Sequence, residues 1–119
     1  MTILPFTDAK WKTVQVPSKD DVKVTQTELQ LRAGPKTDWW RSAKGSIPES
    51  DVDRHDGPLF VFDVKDDQQS WTSSVWLAVN HKERFQQATL FVGQGDYQIG
   101  KEPWLKAGIE IEDGKQNIG

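Results

Sequence analysis

Trp104-Leu105-Lys106-Ala107-Gly108-Ile109-Glu110-Ile111-Glu112 is the stretch on which the fold turns. Successive side chains of a β-strand point to opposite sides of the sheet, so residues two apart share a face. One face of this stretch carries Leu105, Ala107, Ile109 and Ile111, and the other carries Trp104, Lys106, Gly108, Glu110 and Glu112. Alternation of this kind marks a strand with its aliphatic face towards a core. Two earlier stretches divide the same way. Phe85 to Val92 sets Ala88, Leu90 and Val92 against Phe85, Gln87, Thr89 and Phe91, and Thr72 to Asn80 sets Val75, Leu77 and Val79 against Ser74, Trp76, Ala78 and Asn80. As neighbours in one sheet, the three are expected to pack their aliphatic face on a second sheet. Their other face displays Trp76, Asn80, Gln87, Phe91, Trp104, Lys106 and Glu110.

Outward from this region, short runs recur between Gly, Pro, Asp and Ser clusters: Lys12 to Val16, Asp21 to Val24, Glu28 to Ala33 and Leu59 to Val64. Seven strands and almost no helical period predict an all-β sandwich of two antiparallel sheets. Asp38 to Gly45 is the one candidate for a short helix. Ala43 to Pro58, with four acids, two prolines and two glycines, reads as a long surface loop. After a turn at Asp113-Gly114-Lys115 only Gln116-Asn117-Ile118-Gly119 follow, fewer residues than a full returning strand needs. The sheet is therefore expected to be incomplete at its C-terminal edge, either because the chain is a fragment or because another segment or a second chain supplies that edge.

A length of 119 residues predicts a single domain spanning 1–119. Leu, Ile, Val and Phe make up roughly 24% of it, above the level of disordered chains and enough for a lean core. Fifteen Lys plus Arg against 18 Asp plus Glu leave a net charge of −3 with no basic cluster, which argues against nucleic acid or an anionic membrane as partner. No apolar run approaches the length of a membrane span, and the first 20 residues do not have the pattern of a signal peptide. With no cysteine and only His55 and His81, disulfides, thiolate chemistry and His- or Cys-based metal sites are excluded, and no cofactor is expected. The expected compartment is the cytosol. Six tryptophans exceed what a core of this size needs, so some are expected to face a ligand.

Rings beside amides and charges on a sheet face suit a polyhydroxylated or planar ligand, which stacks on the rings and takes directional hydrogen bonds from the polar groups. The competing interpretation is a second small core covered by loops. Glu110 and Glu112 share a face at a spacing that glycoside hydrolysis uses, although the second adjoins a turn where an acid is usually solvated. Thr37-Asp38-Trp39-Trp40-Arg41 gathers an acid, two indoles and a guanidinium, as a binding cluster or as a structural corner in which Asp38 bonds Arg41. Arg54-His55-Asp56 reads either as a hydrogen-bonded polar patch with His55 as a base or, given its Gly/Pro-rich loop, as a solvated histidine, the reading favoured. Asp63, Asp66 and Asp67 lack the spacing of a calcium loop.

Taken in order, Thr37-Asp38-Trp39-Trp40-Arg41, Phe85-Gln86-Gln87-Ala88-Thr89-Leu90-Phe91-Val92 and Trp104-Leu105-Lys106-Ala107-Gly108-Ile109-Glu110 resemble family 1349 of the domains of unknown function, the regulation-of-enolase-like proteins. The third segment matches best, to a Trp-Leu-Lys-x-Gly-x-Glu pattern. Phe85, Gln86 and Thr89 depart from the family's Tyr, Asp and Gly, and its closing Ser-Asp-Trp is absent. The resemblance implies a concanavalin A-like jelly roll, a cytoplasmic protein, and recurrent polar and aromatic positions at Asp38, Trp40, Gln87, Trp104, Lys106 and Glu110. Four of these fall on the non-core face that parity identifies independently. Three functions stay open: a module binding carbohydrate or another small molecule through Asp38, Trp40, Trp76, Gln87, Trp104, Lys106 and Glu110; an enzyme with Glu110 as catalytic acid or base; and a module that docks a protein partner.

Overall fold

The structure, a computed structural model, describes residues 3–42, 44–45, 53–65, 70–80, 82–95 and 102–119. Among them the chain is all-β, with antiparallel sheets of the kind that make up β-sandwiches and a single 3₁₀ turn at Lys19–Asp21 capped by Ser18. No helix among the described residues is long and apolar enough to cross a membrane. The strands fall into two compact units, residues 1–68 and 69–119.

In the first unit β1 (Lys12–Val14) pairs with β6 (Leu59–Val61), β2 (Val22–Val24) with β3 (Leu29–Leu31), and β4 (Trp39–Arg41) with β5 (Asp53–His55). Around β1 and β6 the rings of Phe6, Trp11, Phe60 and Phe62 collect. Trp11 stacks on Phe60 at 4.9 Å and meets Phe62 edge-on at 4.7 Å, while its indole N–H donates to the Pro5 carbonyl. Two of the tryptophans in excess of a lean core are thus packing residues, for Trp39 is also buried, at 5% exposure. Asp38 to Gly45, the one helix candidate, contains strand β4, and the expected loop over Ala43 to Pro58 contains β5. Backbone pairing explains both outcomes. β4 and β5 satisfy each other's N–H and C=O groups in the register Trp39↔His55, Trp40↔Arg54, Arg41↔Asp53.

The second unit is a three-stranded sheet in the order β7 (Gln87–Gly93), β8 (Trp104–Glu112), β9 (Lys115–Ile118). β8 has the bounds its alternation predicts. A returning strand does form: Asp113 and Gly114, at φ 50° and 73°, make a two-residue turn of the I′ kind that sends β9 back along β8. β9 pairs with Ile109 to Glu112, and the Gly108 and Gly119 backbones bond reciprocally beyond it. At the start of β7 the chain bulges. Phe85 N–H donates to the Ile111 carbonyl, while Ile111 N–H donates to that of Gln86, so two residues face one, and Phe85 adopts the left-handed φ of 66° that such a bulge usually reserves for glycine.

The expected strand Thr72 to Asn80 is absent from this sheet. Its side chains alternate, Leu77 and Val79 half-buried and Trp76, Ala78 and Asn80 exposed, but among the described residues no ladder bonds hold the segment. Period-2 patterning specifies a strand's faces and leaves its pairing partner unspecified. The aliphatic face is also less covered than expected. Ile111 is buried, yet Leu105 is 59% exposed, since β9 flanks only the Ile109 to Glu112 part of β8.

Gly108 sets the closeness of β7 and β8. A Cβ there would lie 2.1 Å from the Ala88 carbonyl oxygen and 2.6 Å from the Thr89 Cα, both backbone atoms that cannot swing aside. Gly108→Ala is therefore expected to destabilise the protein by about 3 kcal/mol or to prevent folding, measured as the urea midpoint. An unchanged midpoint would show that the strands can separate at no cost.

Candidate functional site

The β7–β8 register places Gln87 opposite Glu110, Thr89 opposite Gly108, Phe91 opposite Lys106 and Gly93 opposite Trp104. All belong to the parity set of β8 that lacks aliphatic residues, so the side chains among them share one face. Lys106 Nζ donates to Gln87 Oε1 at 2.6 Å, and Gln87 Nε2 donates to Glu110 Oε2. The orientation of the amide follows from its neighbours. An ammonium only donates and a carboxylate only accepts, so Gln87 must turn its oxygen to Lys106 and its nitrogen to Glu110. A cation and an anion are thereby joined through a neutral amide.

Lys106 sits opposite Phe91, and Gln87 lies four residues away along β7, about 13 Å of strand. The Lys106 and Gln87 side chains reach towards each other across the Thr89–Gly108 row, where β8 has no side chain, and meet at the hydrogen bond. Towards the other end of the same face, Phe91 and Trp104 stack with centroids 5.9 Å apart and planes 21° from parallel. Gln87, Phe91, Trp104, Lys106 and Glu110 are all half-buried. The face therefore combines an aromatic platform with an ordered run of charged and amide groups.

Glu112 shares this parity but is engaged elsewhere. Its Oε1 accepts from Arg84 Nη2 at 2.9 Å, and that contact leads the causes that hold the guanidinium pKa above its ordinary value. The paired-carboxylate arrangement expected of a glycosidase is consequently compromised, because one member of the pair already neutralises an arginine. Trp76 is the expected site residue that the sheet does not gather: it lies in the unladdered segment and is wholly exposed. Asp63 pairs with Lys12 at 2.6 Å, and Asp66, Asp67 and His81 fall outside the described residues.

Asp38 and Trp40 belong to the β4–β5 hairpin of the first unit. Asp38 is largely occupied with fastening it: its carboxylate accepts from the Trp39 N–H at 2.7 Å, and its carbonyl accepts from the N–H groups of Asp56 and Gly57. Arg41 bonds Asp53 at 3.1 Å rather than Asp38. Trp39 turns inward, donating its indole N–H to the Gly57 carbonyl at 2.8 Å with its ring 6.1 Å from that of His55. Trp40, on the opposite side of β4, is 46% exposed and directly across from Arg54. His55 is thus a half-buried strand residue rather than a solvated loop residue.

Asn117 was not singled out by its sequence. The β9 register puts it opposite Glu110, so it extends the row to Gln87–Glu110–Asn117 across three strands. Counting back through the two-residue Asp113-Gly114 turn is the signal that finds it, since such a turn pairs residue 112 with 115 and therefore 110 with 117.

Asp56 in the β4–β5 hairpin has its pKa lowered, chiefly because its carboxylate accepts from the Asp38 backbone N–H at 2.9 Å, with the Arg54 charge adding to the effect against a smaller cost of burial. A carboxylate with a depressed folded-state pKa stabilises the fold above its unfolded value, near 4, and loses that contribution as pH falls through the folded value. Asp56→Ala is accordingly expected to lower the thermal midpoint at pH 7, with the gap from the parent narrowing below about pH 4. A gap that stays constant with pH would remove the charge from the account.

Residues 15–119 match the model of a protein family described as Protein of unknown function (DUF1349). No curated protein and no solved structure matches the chain.

Proposed function

The chain belongs to the DUF1349 family, and from that premise we propose that it is a non-catalytic module binding a carbohydrate or another small polyhydroxylated molecule on the β7–β8 face. The observation that carries the reading is the Lys106–Gln87–Glu110 chain lying on the same face as the Phe91–Trp104 stack. A sugar ring has an apolar face of C–H groups and an edge of hydroxyls. The stack suits the first, and the ordered donors and acceptors suit the second. A chain without cysteine suits a reducing compartment, and we place the module in the cytoplasm.

Titration with neutral oligosaccharides is expected to change Trp fluorescence saturably with no product formed. Trp104→Ala should weaken binding roughly three- to tenfold, the worth of an aromatic contact, and Gln87→Leu should weaken it while the fold is kept. Affinity unchanged in both variants would take the ligand off this face.

A second reading, Glu110 as general acid or base in hydrolysis, isomerisation or cyclisation of a small metabolite, is favoured by its half-burial beside Gln87 and by a second carboxylate oxygen without a hydrogen-bond partner among the described residues. Turnover that Glu110→Gln abolishes in a folded variant would establish it in place of simple binding.

A further inference from the structure

The row Gln87–Glu110–Asn117 crosses β7, β8 and β9 at the strand spacing of about 4.8 Å, so it runs roughly 10 Å at right angles to the strands. Among the described residues its hydrogen-bonding capacity is only part used. Gln87 spends its oxygen on Lys106 and one N–H on Glu110, leaving one N–H. Glu110 accepts from Gln87 on Oε2, leaving Oε1. Asn117 donates one N–H to the Lys115 carbonyl at 3.2 Å, leaving its amide oxygen and the other N–H. The unused groups are a donor on Gln87, an acceptor on Glu110 and one of each on Asn117.

We propose that Asn117 is a ligand-contacting residue and that this three-strand row selects a neutral ligand carrying hydroxyls along one edge, an oligosaccharide lying across the strands. The inference rests on the carbohydrate-binding reading and adds to it a residue, an orientation and a charge class. A hydroxyl both donates and accepts, so successive hydroxyls can meet an N–H on one residue and an oxygen on the next. Ligand carboxylates and phosphates ordinarily only accept, and would leave Glu110 Oε1 and the Asn117 oxygen without donors. Such anions also meet the negative charge of Glu110 at the middle of the row; of the cations near it, Lys106 is bonded through Gln87, Arg84 is held in an ion pair by Glu112, and Lys115 lies across from Glu112. The row's length exceeds a single vicinal pair of hydroxyls, which favours more than one sugar ring. Asn117 is exposed, so replacing it leaves the folded sheet intact.

The test uses the whole chain with cellotetraose, maltotetraose and mannotriose as neutral probes and trigalacturonic acid as the acidic one. Binding is followed by Trp fluorescence and by the side-chain amide signals of Gln87 and Asn117 in 1H–15N spectra. A neutral probe is expected to bind and to shift the Asn117 side-chain signal, with Asn117→Ala weakening it roughly three- to tenfold, as the loss of an ordinary hydrogen bond does. Asn117→Asp, which puts a second carboxylate opposite Glu110 and removes the amide donors, should weaken it at least as much. If a neutral probe binds with Trp104 involved but Asn117→Ala leaves affinity and spectra unchanged, the role of Asn117 is overturned and the binding module stands. Preference for trigalacturonic acid overturns the charge class. If no probe binds, the inference falls together with the reading on which it rests.

Discussion

The pairing of β7 with β8 at the glycine row is the constraint on which the candidate face depends. At Gly108 the backbones approach so closely that a single added carbon would meet the Ala88 carbonyl oxygen at 2.1 Å. That contact tolerates only glycine, and so it helps hold the register in which Gln87 meets Glu110 and Phe91 meets Lys106. A slip of one residue would carry each polar side chain to the aliphatic side. The same missing side chain leaves open the row across which the Lys106 and Gln87 side chains reach each other. Glycine in the Trp-Leu-Lys-x-Gly-x-Glu pattern therefore serves both the fold and the arrangement of the site.

Around that pair, local devices determine how the sheet is finished. The left-handed backbone of Asp113 and Gly114 closes a tight hairpin and brings β9 into line, which sets Asn117 beside Glu110. The bulge at Phe85 and Gln86 changes the strand's course just before Gln87, and Arg84 ties the neighbouring Glu112 into an ion pair. Glu110 and Glu112 are equivalent in the sequence pattern and differ in the folded chain: one is reached by an amide, the other by a guanidinium. Electrostatics separates them: Glu110 accepts from a neutral amide, and Glu112 is held in an ion pair.

The first unit divides its aromatic residues between packing and display. Trp11 joins Phe6, Phe60 and Phe62, and Trp39 turns in against Gly57, so close that a Cβ at that glycine would meet the indole at 2.8 Å. Trp40 is left outward because residues adjacent in a strand point to opposite sides. The mutual hydrogen bonds of Asp38, Asp56 and Gly57 close that hairpin. They account for an acidic residue directly before two indoles without calling on a ligand.

The sequence by itself determined the all-β class, the bounds of β8, the separation of its two faces and the presence of Gln87, Trp104, Lys106 and Glu110 on one of them. These follow from alternation, a local property that each strand carries alone. The tertiary structure decided which strands pair. It left Thr72 to Asn80, and Trp76 with it, outside the sheet, made strands of Trp39–Arg41 and Asp53–His55, and returned β9 to bring in Asn117. Pairing is settled by hydrogen bonds and contacts between residues distant along the chain, which no single stretch encodes.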